Sequence, residues 1–207
     1  MHRIRLVSWD LDGTLYCMRA MRRKLDRMLL QALMLPPWSE TAAVVELIRY
    51  QRSMVAARGD DSRVERYLRS ARGQRFLQLQ AYWISRALSE CGLRPETRDV
   101  IARIQQRGVR QIVFSDYPAD EKLQVLGLEN CMDAVYAAAD RYQVKPDRRA
   151  FRAVWDAEGV EPGNVLHIGD RPDTDGGARD AGAHCLILGR DISTLNEVWD
   201  WLEAPPL

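Results

Sequence analysis

The stretch Ile4-Arg5-Leu6-Val7-Ser8-Trp9-Asp10-Leu11-Asp12-Gly13-Thr14-Leu15-Tyr16 decides how the rest of the chain is read. A mostly apolar run meets two carboxylates spaced i, i+2, and a glycine and a threonine follow at once. An apolar run closed by glycine reads as a buried strand and its exit turn. Residues two apart on a strand point the same way, so Asp10 and Asp12 would project together from its carboxyl end. Two anionic groups held that close repel each other, and a divalent cation or a shared proton relieves the repulsion. By themselves these residues also suit an ordinary Asp- and Gly-rich surface turn.

Three further short motifs follow in order. Ser115 closes an apolar run in Val113-Phe114-Ser115-Asp116. Lys145 precedes a proline in Val144-Lys145-Pro146-Asp147. An acidic loop follows Ile168-Gly169 as Asp170-Arg171-Pro172-Asp173-Thr174-Asp175. Singly, each is ordinary: a strand-end hydroxyl, a loop lysine, and aspartates suited to capping a helix near residue 175. As an ordered set with Asp10-Leu11-Asp12-Gly13-Thr14-Leu15, they resemble the four motifs of the haloacid dehalogenase superfamily, most of whose members are phosphatases. The resemblance runs from residue 4 to about residue 190. Two positions depart from it. Trp9 stands where Phe is more usual, which reads as packing. Asp116 stands where Asn is frequent and brings an extra acid near the motif.

The surrounding sequence divides in two. From Pro95 onward, helices alternate with short apolar strands. Helices are expected near 96–107, 119–126, 147–158, 175–182 and 194–202. Strands are expected at 109–114, 134–138, 165–168 and 185–188. Such alternation implies an α/β fold with a doubly wound, mainly parallel sheet covered on both faces. Residues 17–95 instead show helical periodicity. Met21 to Leu33 mark one helix, stopped by Pro36-Pro37. Val44 to Val55 mark a second, ended near Gly59. Asp61 could cap a third, and Phe76 to Cys91 mark a fourth, with Gly92 beyond its end. The expected organisation is a core of residues 1–16 and 96–207 with an inserted helical bundle, 17–95. In the resembled family this position belongs to a cap over the active site. In open parallel sheets ligands sit beyond the carboxyl ends of the strands, which is where Asp10, Ser115, Lys145 and Asp170 all fall.

The resemblance implies a chemistry for each residue. Asp10 matches the nucleophile, which would form an aspartyl-phosphate, and Asp12 the general acid and base. Asp10, Asp170 and the backbone carbonyl of Asp12 would bind Mg²⁺, a hard ion that prefers oxygen ligands. Lys145 would neutralise charge on the nucleophile and phosphoryl group. The Ser115 hydroxyl and backbone N–H groups near Leu11 and Asp116 would cradle phosphate oxygens. The implied substrate-binding set is Ser115, Asp116, Gly13 and Lys145. Asp175 matches a second acidic position that orients Lys145 or metal-bound water, with Asp173 as its competitor. His167 lies inside an apolar run and reads as a core histidine. The implied activity is Mg²⁺-dependent hydrolysis of a small phosphorylated metabolite. A phosphomutase of the same superfamily and a catalytically silent interaction protein are the alternatives. Asp12 argues against dehalogenation, since members with that activity lack this acid.

Composition sets outer bounds. At 207 residues and 46% hydrophobic content, the chain can bury a sizeable core, and its net charge of +1 gives no global attraction to nucleic acid. No apolar run approaches the ~20 residues that span a bilayer. The first strand starts close to Met1, so a cytoplasmic location without signal peptide is expected. Cys17, Cys91, Cys131 and Cys185 are scattered, fitting neither a disulfide framework nor a zinc site. Cys17 is read as structural. Residues 19–98 carry 16 Lys and Arg against 8 Asp and Glu, and the remainder 14 against 21. An Arg-rich lid over an acidic core would steer an anionic substrate; the alternative is solvated helical faces.

Overall fold

The computed structural model of the protein describes residues 4–34, 42–49, 52, 61–137 and 144–203. The first apolar run is strand β1 (Leu6–Trp9), buried at every position. It is the centre of a five-stranded sheet. The other strands are β2 (Arg110–Ser115), β3 (Ala134–Ala137), β4 (Val165–Gly169) and β5 (His184–Ile187). Their spatial order is β3-β2-β1-β4-β5, and every neighbouring pair is parallel. Since β1 pairs with both β2 and β4, the order reverses at β1, and that switch point is where a ligand crevice opens in such sheets.

Successive strand residues face opposite sides, so each side has its own core. Val7, Trp9, Val113, Leu166 and Ile168 pack with Val100, Ile101 and Ile104 of helix α5 (Thr97–Gln106), Leu123 and Leu126 of α6 (Asp120–Leu126) and Val198 of α9 (Asn196–Glu203). On the other side, Leu6, Ile112, Phe114, Val165 and Ile187 meet Phe151, Val154 and Trp155 of α7 (Arg148–Ala157) and Ala178 of α8 (Gly177–Asp180). Trp9 is indeed a packing residue: its ring is fully buried and its Nε1–H donates to Gln111 Oε1 at 3.1 Å. The helix expected at 175–182 shortens to four residues, because the acidic loop before it is spent on tight turns such as Asp175 N–H to Arg171 O at 2.8 Å.

The described parts of the inserted region are mostly helical. It contains α1 (Met18–Met34), residues 42–49 (α2), α3 (Asp61–Arg69) and α4 (Ala71–Leu88). Ala32, Val44, Leu47, Leu68, Phe76, Leu79 and Trp83 form its apolar centre. The α3–α4 turn is tight: a Cβ on Gly73 would lie 2.1 Å from the Tyr67 carbonyl oxygen, and the Ser70 hydroxyl caps α4 by accepting from Gly73 N–H. Helix α4 ends at Leu88, three residues earlier than its apolar pattern suggested, so Cys91 lies beyond it. Pro36-Pro37, the second half of the expected second helix and Pro205-Pro206 lie outside the described residues. Arg69 pairs with Glu65 and Arg75 with Glu46. Both pairs lie on exposed helical faces, as the solvated-face reading of these arginines requires.

The insert is tied back to the opening motif by its returning loop. Arg94 N–H donates to Leu15 O at 3.0 Å. Its guanidinium donates to Gly13 O at 2.7 Å and Thr14 O at 2.9 Å, and Thr97 Oγ1 donates to Leu15 O at 3.0 Å. Among the described residues no helix is long and apolar enough to cross a membrane.

Candidate active site

The register of the sheet gathers the four motifs at one edge. Trp9 lies level with Val113 on one side and Ile168 on the other. Asp10 directly follows Trp9, and Ser115 and Asp170 lie two residues past Val113 and Ile168, so all three emerge at the carboxyl ends of three adjacent strands. Asp10 is still anchored to the sheet, its N–H donating to Ile168 O at 2.8 Å.

Lys145 comes from the loop after β3 and is almost wholly buried. Its Nζ donates to Asp10 Oδ1 and to Asp175 Oδ1, both at 2.6 Å. The loop is held by Asp116, whose Oδ1 accepts from Lys145 N–H at 2.9 Å. The extra acid of the second motif thus serves as a tether for the lysine loop. Asp10 Oδ2 accepts from Thr14 Oγ1 at 2.9 Å. Ser115 is fully buried at the end of β2, with Oγ accepting from Tyr117 N–H at 3.3 Å.

The acidic loop places its two later aspartates differently. Asp175 turns inward and is buried, with Oδ2 accepting from Arg171 N–H at 3.1 Å. Asp173 pairs with Arg171, its side chain 67% exposed. Gly169 and Gly13 make room for the acids. A Cβ on Gly169 would lie 2.1 Å from Asp175 Cγ, and one on Gly13 would lie 2.2 Å from Asp170 Oδ2. Gly13 also sits at φ +109, where a side chain is strained. Carboxylate oxygens of Asp10, Asp170 and Asp175 lie within 4.8 Å of one another.

Three side chains that the motifs did not reveal complete the arrangement. Lys122 of α6 donates to both oxygens of Asp12, at 2.8 and 2.7 Å, and Tyr16 Oη also donates to Asp12 Oδ1. The Lys122 side chain is 1% exposed. Its sequence signal was a lysine on the same helix face as Leu126. His167 lies beneath the site. Its Nδ1 is 3.1 Å from Ser8 Oγ and its Nε2 is 3.2 Å from Asp175 Oδ1, with Phe114 and Phe151 packed edge-on against the ring. The core-histidine reading therefore holds, with an added contact to a site acid.

Residues 4–182 match the family of haloacid dehalogenase-like hydrolases. The chain belongs to this family. A phosphoglycolate phosphatase of Rhodospirillum rubrum is 27% identical over 198 residues, 90% of this chain and 80% of that protein. Among solved structures, the magnesium-bound HAD-hydrolase YfnB of Bacillus subtilis aligns with a TM-score of 0.70 at 19% identity, covering 98% of this chain and all of that one. The L-2-haloacid dehalogenase of Xanthobacter autotrophicus aligns with a TM-score of 0.63 at 18% identity, covering 90% of this chain and 78% of that one. These structural likenesses establish the fold, a Rossmann-like α/β core, and the family match makes the protein a hydrolase.

The electrostatics of this hydrolase follow from two buried carboxylates, a half-buried third and one buried ammonium. Burial opposes charge on Lys145, but Asp10 and Asp175 outweigh it and raise its pKa. Burial would also raise Asp175, yet Lys145 and His167 overcome it and hold that acid below the usual carboxylate range. Asp10 shares the same lysine with fewer donors, and burial pushes it well above that range. Burial and the neighbouring Asp175 raise Asp170 to about 6. His167 is lowered by burial, so the neutral ring can accept from Ser8 and donate to Asp175. One ammonium does not offset three clustered acids in low dielectric. Hard oxygen donors, close spacing and uncompensated negative charge are what a small divalent cation requires, so the residues present fit Mg²⁺.

Proposed function

We propose that this hydrolase is a Mg²⁺-dependent phosphatase that acts on a small phosphorylated metabolite through an aspartyl-phosphate on Asp10. The observation that carries the reading is the Asp10 carboxylate, buried between Lys145 and the acids Asp170 and Asp175, with Asp12 two residues on. The phosphoglycolate phosphatase relative supports a phosphomonoester substrate. Residues 17–95 act as the cap and residues 1–16 with 96–207 as the catalytic core. Phe76 of α4 meets Tyr117, two residues past Ser115, edge-on with ring centroids 6.1 Å apart, which supports a cap that reaches the site's rim. A cytoplasmic location suits such a substrate.

In the first half-reaction an Asp10 oxygen attacks phosphorus while the P–O bond to the alcohol breaks, and Asp12 donates the proton that the departing oxygen needs. In the second half, Asp12 takes a proton from water, which attacks the phosphoenzyme and releases inorganic phosphate. Lys145 steadies negative charge on Asp10 and on the transferring group, Ser115 holds a phosphate oxygen, and Asp175 and His167 keep Lys145 in place. When bound by Asp10, Asp170 and the Asp12 carbonyl, with Asp175 adjacent, Mg²⁺ supplies charge screening between nucleophile and phosphate. For its proton to reach a leaving group, the Asp12 carboxyl must first leave the grip of Lys122 and Tyr16.

The test is phosphate release from a panel of small phosphorylated metabolites, with and without Mg²⁺, beside an aryl phosphate. Metal-dependent turnover is expected, and no turnover of any phosphoester would reject the reading. Asp12→Asn should slow alkyl esters by about 10²–10⁴, the usual worth of a positioned proton donor. Aryl phosphates, whose leaving groups need little protonation, should lose much less. Equal loss on both would remove Asp12 from the acid role.

The raised pKa of Asp170 predicts a pH-dependent metal effect. A carboxyl raised to about 6 in the fold contributes stability below the unfolded value near 4, and that contribution is lost as pH climbs through 6. A cation at this site binds the ionised form, so proton and metal compete. Added MgCl₂ should raise the melting temperature at pH 7.5 and do so far less at pH 5. An equal rise at both pH values would place the metal away from Asp170.

A further inference from the structure

The two loops that connect the inserted helices to the core each carry a cysteine. Cys17 immediately precedes α1 and is exposed; Cys91 lies three residues past α4 and is partly buried. The loops run beside each other. Arg94 N–H donates to Leu15 O at 3.0 Å on the core side of the two cysteines, and Lys24 pairs with Glu90 on the helical side. Both cysteines fall between these two links, Cys17 two residues past Leu15 and Cys91 next to Glu90. Cys17 occupies the N-cap position of α1, its carbonyl accepting from Met21 N–H at 3.1 Å. The Ala20 N–H, joined by that of Arg19 and by the charges of Arg94 and Arg19, outweighs burial and lowers the Cys17 thiol. Burial raises Cys91. An exposed thiol with a lowered pKa, on a loop that adjoins one bearing a second thiol, has the layout of an oxidisable cysteine with its resolving partner.

We propose that Cys17 and Cys91 form a redox modification site, in which a hydroperoxide converts the pair to a disulfide that staples the outgoing loop to the returning one. The Cys17 thiolate attacks one peroxide oxygen and breaks the O–O bond, giving a sulfenic acid and, after protonation, water. The Cys91 sulfur then attacks the Cys17 sulfur and expels hydroxide, which leaves as a second water. Two thiols are oxidised by two electrons, one hydrogen peroxide is reduced, and a dithiol reverses the change. Because both loops attach the inserted helices, the crosslink restrains their motion relative to the site. This consequence for turnover rests on the phosphatase reading, whereas the chemistry of the thiol pair does not.

The test treats the intact protein with hydrogen peroxide, blocks remaining thiols with an alkylating agent and maps peptides without reduction. The expected product joins tryptic peptide 6–19 to peptide 87–98. Cys91→Ser should instead stop at a Cys17 sulfenic acid that a cyclic dione traps, and Cys17→Ser should abolish both products. Mg²⁺-dependent aryl phosphate turnover should fall about tenfold on oxidation and return with dithiothreitol, with no such response in either variant. Free Cys17 and Cys91 after peroxide, or linkage through Cys131 or Cys185, would overturn the site. A crosslinked protein with unchanged turnover would overturn the restraint. Absence of turnover in the reduced protein would count against the phosphatase reading alone, since the peptide map scores the thiol pair independently.

Discussion

Asp10→Asn should abolish turnover, by on the order of 10⁴–10⁶ in kcat if the nucleophile is lost outright, and leave no covalent phosphoenzyme. The fold should survive. Asparagine is nearly isosteric: its carbonyl oxygen can still accept from Lys145 Nζ, and its amide NH2 can donate to the Thr14 hydroxyl in place of the second carboxylate oxygen. Burial already pushes the Asp10 carboxyl well above its usual range, so removing its charge removes a cost as well as a contact. The melting temperature of the metal-free variant should therefore equal or exceed that of the parent protein, while its gain from Mg²⁺ shrinks. Phosphate release at fixed Mg²⁺, with mass spectrometry of the acid-quenched protein, checks the first half, and thermal melts with and without metal check the second. An active Asp10→Asn protein, with deamidation back to aspartate excluded, would overturn the nucleophile assignment.

Lys145→Met should have the largest effect on stability. It leaves Asp10 and Asp175, each now 2.6 Å from the ammonium, buried beside each other and beside Asp170 without their counter-charge. Breaking a buried ion pair by removing one partner costs roughly 3–5 kcal/mol. For a protein of this size that corresponds to a fall in melting temperature of roughly 6–20 °C at neutral pH. Two conditions should restore part of the loss. Saturating Mg²⁺ replaces some of the missing charge. Acidification toward pH 5 lets the raised carboxyls of Asp10 and Asp170 take protons, so the deficit should narrow as pH falls. Turnover should be lost as well, since the charge facing the phosphoryl group is gone. A melting temperature unchanged at pH 7.5 without metal would mean that the lysine does not bear on the acid cluster.

The contrast between Asp173 and Asp175 shows where reading the chain stops. Both aspartates occupy one loop of similar composition, and nothing local separates them. Burial separates them, because Asp175 is buried against Lys145 and His167 while the Asp173 side chain is 67% exposed beside Arg171. Lys122 is a similar case. As one of several charged residues in a short helix it looks like surface, yet its helix face turns it onto Asp12, 110 residues away in sequence. Asp116 stands between these extremes: its place beside Ser115 was visible at once, but its partner, the Lys145 amide, was not.

By itself the amino-acid sequence determined most of the strands and helices and the strand-end positions of Asp10, Ser115 and Asp170. These follow from short-range periodicities of 2 and 3.6 residues and from glycines that permit a sharp exit from a strand. Lys145 stood out in the same way, as part of an ordered set of motifs. Only the tertiary structure decided the strand order β3-β2-β1-β4-β5, the inward turn of Asp175, the Lys122 and Tyr16 grip on Asp12, the His167 contact beneath the acids and the pairing of the two cysteine-bearing loops. Each of these depends on which distant surfaces are buried together. That choice is made by packing and by the electrostatics of a low-dielectric interior, and no stretch of residues read alone contains it.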